Sequence, residues 1–139
     1  MTLQEAKDKM DKISIDMRKM VKTESPHLIA QTRVNIAAVL NEMCILLGDM
    51  LLSLPDKEMG VKRSQSIAER TYVANSMKNV EAKREAFIDC FDDDLAAGIH
   101  KAEVRVISGY IDALKKNLDA LSGIQRALES ENIHNKLQT

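Results

Sequence analysis

Two long rows of apolar residues, each repeating at helical spacing, constrain this chain more than any other feature of its sequence. Within each row the residues recur every three, four or seven positions, one row before position 55 and one after position 103. This spacing places side chains along one face of a helix, as in a coiled-coil seam. The rows are Ile29, Ile36, Leu40, Met43, Leu47, Met50 and Leu54, and Val104, Ile107, Ile111, Leu114, Leu118, Leu121 and Leu128.

The composition agrees with a helical protein of one domain's size. Among 139 residues there are 5 glycines, 2 prolines and only 3% aromatic residues, whereas 45% are hydrophobic. So few turn-forming and aromatic residues argue against a β-sandwich or barrel. We therefore predict an all-α fold, a long-helix hairpin or small helical bundle with coiled-coil-like seams.

The helix that carries the first row is apolar on other sides as well. One further row contains Ala37, Cys44 and Leu51, and another contains Val39 and Leu46. A helix apolar over so much of its circumference must be covered on more than one side, which predicts a homo-oligomer. We assign the oligomer interface to residues of both seams: Ile36, Leu40, Met43, Leu47, Met50, Ile107, Ile111, Leu114, Leu118 and Leu121.

The pattern divides the chain into an N-terminal amphipathic helix (1–24), a helical core and oligomerisation domain (25–133) and a frayed polar tail (134–139). The first helix has a narrow apolar face of Ile13, Met17, Met20 and Val21, which favours a mobile helix or one that docks on a partner.

Four helices follow from the start and stop signals. Ser25 and Pro26 are a typical N-cap and first helical residue and open the second helix. Pro55 is expected to end or kink it, Gly60 to lie in a loop, and a third helix to cover 61–91. The acidic run 92–94 predicts the start of the fourth helix, which should reach about residue 132. Gly109 and Gly123, which lie within the second row of apolar residues, suggest close helix contact.

Motifs for catalysis and cofactor binding are absent from the sequence. It contains no GxxxxGK[ST], GxGxxG, HExxH, CxxC or GxSxG pattern, so we expect no enzyme, no cofactor and no metal site. The histidines His27, His100 and His134 are far apart and are expected to be solvated or capping. The cysteines Cys44 and Cys90 are isolated, which indicates free thiols in a reducing compartment.

The N-terminal residues lack the apolar segment of a signal peptide, and charged residues interrupt the densest apolar stretch, 36–54. We therefore expect a cytoplasmic protein without a membrane span.

Positive charge is concentrated in the third helical segment. The formal net charge is −1, which excludes a globally basic protein, but residues 57–84 hold seven lysines and arginines against three glutamates. A row of cations like this can bind a nucleic-acid phosphate backbone. The alternative interpretation is that these charged residues only form the solvated face of a helix. The candidate contacts are Arg70, Lys78, Lys83 and Arg84. Because aromatic residues are scarce, base stacking is not expected, and Phe87 is assigned to the core.

A family resemblance enters at Lys83-Arg84-Glu85-Ala86-Phe87, where a basic helix ends in a cationic pair and an aromatic residue. A short turn and a long amphipathic helix, 102–126, follow. Over residues 26–130 this layout resembles the bacteriophage recombination mediators of the UvsY type. The resemblance implies a small, all-helical, ring-forming protein that binds single-stranded DNA and helps to load a recombinase onto strand coated with single-strand-binding protein. It also implies that Lys83 and Arg84 contact phosphates.

Two functions follow as hypotheses. The first is a non-enzymatic accessory factor for recombination that binds single-stranded DNA as a homo-oligomer, in the cytoplasm of a bacterium or phage-infected cell. The second is a helical protein-binding module, such as a chaperone, a virion assembly factor or an inhibitor of a host enzyme. The second is favoured by the apolar excess and the 8 methionines, because methionine suits adaptable contact surfaces.

Overall fold

The computed structural model describes residues 1–138 and contains four α-helices. They are α1 (Leu3–Met20), α2 (Pro26–Ala74), α3 (Asn79–Asp89) and α4 (Phe91–Gln138). No strand occurs in the described chain, so the predicted all-α class is confirmed. The helices contribute to two compact units. The first unit joins Met1–Leu47 with the chain from Val106 onward, and the second unit is Gly48–Arg105.

The first unit is built around the two predicted seams. Ile36, Met43, Ile107, Leu114 and Leu121 are all fully buried there. Their helical spacing gathers them into one interior, where burial of each large aliphatic side chain contributes roughly 1.5–3 kcal/mol. The seams thus form the core of the chain itself.

Helix α1 packs into the first unit and is not a free arm. Ala6, Ile13 and Met20 are buried at intervals of seven residues. The Thr32 hydroxyl lies 3.4 Å from the sulfur of Met20. Val21, expected on the apolar face, is the C-cap residue and is 74% exposed. Helix α1 thus packs on the interior of the chain itself, whereas the sequence left open a mobile helix or one docked on a partner.

A capping box begins α1. The Thr2 side chain accepts from the Glu5 backbone N–H at 3.2 Å, and the Glu5 carboxylate accepts from the Thr2 N–H at 2.6 Å. These bonds satisfy amides that have no partner within the helix. The bond from the Thr2 backbone holds the pKa of Glu5 below its usual value.

The missing position in the second seam has a polar explanation. Gln125 stands where the spacing calls for an apolar residue, and its Oε1 accepts from Arg33 Nη1 at 2.6 Å. Both side chains are half-buried and so lose hydrogen bonds to water. The bond between them gives the Arg33 donor and the Gln125 acceptor a partner within the chain.

Helix α2 does not end at Pro55. It begins at Pro26 as predicted, with the Leu28 N–H directed to the Ser25 hydroxyl at 3.4 Å, and continues through Pro55 and Gly60 to Ala74. The predicted loop at Gly60 and the separate helix over 61–91 are therefore wrong.

Side chains supply hydrogen bonds beside the proline. Proline has no N–H for the carbonyl four residues earlier and crowds the preceding turn. The neighbouring carbonyl of Met50 accepts from Ser53 Oγ at 3.0 Å and from His100 Nε2 at 3.1 Å. Residues from the same helix and from α4 thus stabilise the disturbed turn.

The break in the chain lies instead at residues 75–78. Ser76 adopts a left-handed conformation with φ of 71°. The N–H of Met77 bonds to the Tyr72 carbonyl at 3.1 Å, and that of Ser76 bonds to the Val73 carbonyl at 3.1 Å. This pair of bonds is a Schellman motif, formed here without the usual glycine.

The second unit has a core of small side chains. Its buried residues are Val61, Ala82, Ala86, Cys90, Ala97 and Val104. Helix α4 begins beside the acidic run, as predicted, because Asp92, Asp93 and Asp94 occupy its first turn.

Two expectations for α4 differ from the structure. The helix continues to Gln138, so residues 134–138 are helical and not frayed, and residue 139 lies outside the described chain. A Cβ at Gly109 or Gly123 would meet no atom within 4 Å, so neither glycine marks a close helix contact within the chain.

Candidate nucleic-acid interface

The four predicted phosphate contacts all lie in the second unit, on both sides of the turn at 75–78. Arg70 is near the end of α2, Lys78 is the N-cap residue of α3, and Lys83 and Arg84 are on α3. Helix α3 turns Ala82 and Ala86 inward and leaves Lys83 and Arg84 exposed. The alternation of small buried and long exposed residues therefore presents the cations to solvent.

None of these four cations is neutralised within the described residues. The ion pairs Lys9 with Glu42 and Lys101 with Glu58 involve none of them, and neither does the contact of His100 Nδ1 with Glu103 at 3.9 Å. An unpaired exposed cation meets an anion without first breaking an internal pair, so the four residues are available to phosphate.

Carboxylates limit the extent of this basic surface. Asp92, Asp93 and Asp94 follow in the first turn of α4, and Glu81 and Glu85 lie on α3. Any phosphate path therefore follows the end of α2 and the exposed cations of α3, and it does not extend onto the start of α4.

Phe87 is not a core residue. Its side chain is 50% exposed, and its ring lies edge-on to that of Phe91, with centroids 6.2 Å apart. The expectation that it is buried was wrong because α3 turns its alanines inward. Phe87 lies seven residues after Val80, on the same side of α3, and Val80 is 82% exposed.

Tyr72 and Asp89 join the two helices of this region. The Tyr72 hydroxyl donates a hydrogen bond to the Asp89 carboxylate. This bond stabilises the neutral phenol and raises the pKa of Tyr72 above its usual value. The bond links the end of α2 to the end of α3, which carries Lys83 and Arg84.

The residues predicted for the oligomer interface lie inside the chain. Ile36, Met43, Ile107, Ile111, Leu114 and Leu121 are buried, and Leu40, Leu47, Met50 and Leu118 are half-buried. The six buried side chains belong to the interior of the chain, whereas the four half-buried ones keep part of their surface exposed. An apolar seam suits contact within a chain as well as contact between chains, so spacing alone does not distinguish the two.

A different set of apolar residues is exposed, and the sequence interpretation missed it. On α2, Ile45, Leu52 and Met59 recur every seven residues and are 59%, 78% and 62% exposed. Ile45 and Leu52 lie about 200° around the helix from the seam residues Met43 and Met50, and so on its opposite face. Helix α2 therefore exposes apolar side chains on the side opposite its seam.

His100 is not a solvated histidine, one of the two alternatives expected for it; it is largely buried and bonds to a backbone carbonyl. Its side chain is 11% exposed. Because a carbonyl accepts, Nε2 carries the proton that it donates to Met50, which leaves Nδ1 to accept from Lys57 Nζ at 3.4 Å.

Neither metal nor disulfide chemistry is indicated in the described chain. Residues 1–138 contain no group of three or more His, Cys, Asp or Glu side chains placed to hold a metal ion. Cys44 is exposed and Cys90 is buried, and both are free thiols.

Helix α2 contains a segment that meets the length and composition of a membrane span, contrary to expectation. Its mean hydropathy is 1.7 and 17% of it is buried. Core helices of soluble proteins and signal sequences share this property.

Comparisons with protein-family models, curated proteins and solved structures give no match to this chain.

Proposed function

We propose that this protein is a non-enzymatic accessory factor that binds single-stranded nucleic acid along its phosphate backbone. Its role would be that of a recombination mediator, with a recombinase and a single-strand-binding protein as further partners. The observation that carries the proposal is the group of four exposed, unpaired cations, Arg70, Lys78, Lys83 and Arg84.

Binding is expected to be tolerant of sequence. Phosphate contacts from lysine and arginine position a strand without reading its bases. The exposed ring of Phe87 adds one apolar contact surface for a base, although the acidic start of α4 lies close to it in the chain. A single copy offers few contacts, so a homo-oligomer that repeats them gains affinity through multivalency.

Titration of a labelled single-stranded oligonucleotide at several salt concentrations tests this function. Four phosphate contacts on single strands predict a slope of log K against log salt of about −3. Lys83→Ala combined with Arg84→Ala should weaken binding and make that slope less steep by about 1.4.

A matched control is provided by Lys115 and Lys116. They also form an adjacent, exposed cationic pair on a helix, but they belong to the first unit. Replacement of both by alanine should leave affinity nearly unchanged. Equal losses for the two pairs would indicate unspecific attraction, and binding independent of salt would refute the proposal.

The second candidate is a protein-binding module with no affinity for nucleic acid, as a chaperone, virion assembly factor or inhibitor of a host enzyme would be. The exposed row of Ile45, Leu52 and Met59 favours it, because large exposed apolar patches commonly mark interaction sites. This candidate is preferred on two results. The chain binds no oligonucleotide at low salt, and it captures a protein from a nuclease-treated bacterial lysate that the Leu52→Lys variant does not capture.

A further inference from the structure

One side of α3 places an aromatic ring between two cations. Each residue of an α-helix advances about 100° around its axis. Lys83 and Arg84 therefore lie about 40° and 60° from Phe87, one on each side of it, and Val80 lies about 20° from it. All four side chains are exposed. We define these four residues as the cationic side of α3.

The carboxylates of α3 lie away from its cationic side. Glu81 is about 120° around the helix from Phe87, and Glu85 and Asp89 are each about 160° from it. The Asp89 carboxylate also accepts a hydrogen bond from Tyr72. A ligand that contacts the exposed ring on α3 therefore meets the cations of this helix before its carboxylates.

A second exposed ring follows at the start of α4. Phe91 comes four residues after Phe87, and each of the two residues is 50% exposed. Their ring centroids are 6.2 Å apart and the ring planes meet at 69°, which is an edge-to-face arrangement that aromatic pairs favour. Base stacking was not expected from the sequence, where aromatic residues are few and Phe87 was assigned to the core. Two exposed rings beside the cations change that expectation.

The acidic run after Phe91 is partly offset by lysines. Asp93 and Asp94 line two clefts between α2 and α4, each together with a lysine of α2. Asp94 is the nearest of the run to Phe91, at about 60° around α4, and it shares its cleft with Lys62 and Lys101. Phosphates are therefore expected on the α3 side of the two rings and not beside α4.

We infer that the rings of Phe87 and Phe91 stack on unpaired bases of a single strand whose phosphates contact the cationic side of α3. This inference rests on the proposed function and adds the bases to the ligand. A single strand carries both phosphates and accessible flat bases, so it matches a surface on which cations flank aromatic rings. Every base offers a flat face, so stacking keeps the tolerance of sequence.

An anionic membrane is the other ligand that cations and exposed phenyl rings attract. A helix that lies in a membrane interface has a broad apolar face and a polar face rich in lysine and arginine. Helix α3 has only 11 residues, and the rest of its surface carries Glu81, Glu85 and Asp89, which anionic lipid repels. A single strand needs only the narrow cationic side, so the arrangement favours the strand.

Titration of the full chain with two strands of equal length tests the stacking. One is an oligothymidylate, and the other is an abasic oligonucleotide that keeps the phosphates and lacks the bases. Wild type should bind the oligothymidylate about tenfold more tightly than the abasic strand. Phe87→Leu combined with Phe91→Leu keeps apolar side chains without rings and should remove that preference, with unchanged helical circular dichroism. Phe87→Tyr keeps the ring and should keep the preference.

Salt dependence separates the rings from the cations. Stacking releases no counterions, so the double leucine variant should lower log K for the oligothymidylate without changing its slope against log salt. Lys83→Ala combined with Arg84→Ala should change the slope and leave the preference for bases. The matched control is Ile88→Ala, since Ile88 is 56% exposed and follows Phe87 directly but lies about 100° around the helix from it. This control should alter neither the slope nor the preference.

The outcomes separate the stacking from the proposed function. Equal, salt-dependent binding of both strands by wild type overturns the stacking and leaves the function supported, whereas no binding of either strand at low salt overturns both. A preference for bases that persists in the double leucine variant, or an equal loss on Ile88→Ala, also overturns the stacking. So does tighter binding of wild type to phosphatidylserine vesicles than to the oligothymidylate, when the double leucine variant loses it.

Discussion

The imidazole of His100 donates to the backbone carbonyl of Met50, with its Nε2 3.1 Å from that oxygen, five residues before Pro55. This bond ties α4 to the turn of α2 that the proline disturbs. It gives the buried imidazole a hydrogen-bond partner, one residue before Leu51, whose carbonyl has no N–H partner at Pro55.

His100→Ala should lower the free energy of unfolding by about 1–3 kcal/mol, because it removes a hydrogen bond to a partly buried carbonyl. Pro55→Ala should raise it by about 1 kcal/mol or more, because the missing donor is restored. When Pro55→Ala is already present, His100→Ala should lower the free energy of unfolding by less, with a difference of at least about 0.5 kcal/mol. Urea unfolding measures this cycle, with the exposed His27→Ala as control. Additive effects would contradict the link between the two residues.

Ser76→Gly should stabilise the protein by about 1 kcal/mol, because a side chain in the left-handed region is strained and glycine is not. Ser130 is exposed within α4, and the same substitution there should destabilise by about 0.5 kcal/mol. The opposite signs are measured as shifts of the urea midpoint. A loss of stability at both positions would show that Ser76 does not need the left-handed conformation.

Tyr72 should ionise above the usual tyrosine pKa of about 10, because its phenol donates to Asp89. The folded state favours the neutral phenol, so this contribution to stability is complete below the pKa of the unfolded chain. It is lost as the pH rises through the higher pKa of the folded state.

Phenolate absorbance measures this ionisation. The chain has 2 tyrosines, so Tyr110→Phe leaves Tyr72 as the only reporter. Asp89→Ala in that background should return the midpoint toward the ordinary value. An unchanged midpoint would mean that the hydrogen bond is not formed in solution.

Gln125→Leu should destabilise the first unit by about 1–2 kcal/mol although it completes an apolar row, because the half-buried Arg33 loses its acceptor. Arg33→Met combined with Gln125→Leu removes both polar partners and should recover most of that loss. Thermal unfolding of the two single variants and the double variant gives the coupling. If Gln125→Leu alone is stabilising, the hydrogen bond is not the reason for the polar residue in this row.

Much of the fold could be predicted from apolar spacing, because the buried residues of α2 and α4 follow the seams. The course of α2 could not, since the partner that stabilises the turn before Pro55 is His100, which is distant in sequence. The break at Ser76 could not be predicted either. Serine and asparagine are weaker helix-ending signals than proline, so Pro55 was chosen as the end of the helix. The exposed row of Leu52 and Met59 was missed because it runs parallel to a more complete seam on the same helix.

The candidate site was predictable only as a local excess of cations. Burial of Ala82 and Ala86 decides which way α3 faces, and short periodic alanines are a faint signal in an eleven-residue helix. The exposure of Phe87 depends on that choice of face. Arg84, three residues before it, is exposed, and its role as a phosphate contact stays a prediction.

Alanine at the buried positions of the second unit also affects how its backbone opens. Small side chains allow helices to approach closely but remove little hydrocarbon from water, so separation of α3 from its neighbours requires little free energy. Amide protons of Ala82 to Ala86 should therefore exchange with deuterium through local fluctuations. Amide protons around Met43 and Leu114 should exchange only when the whole first unit unfolds.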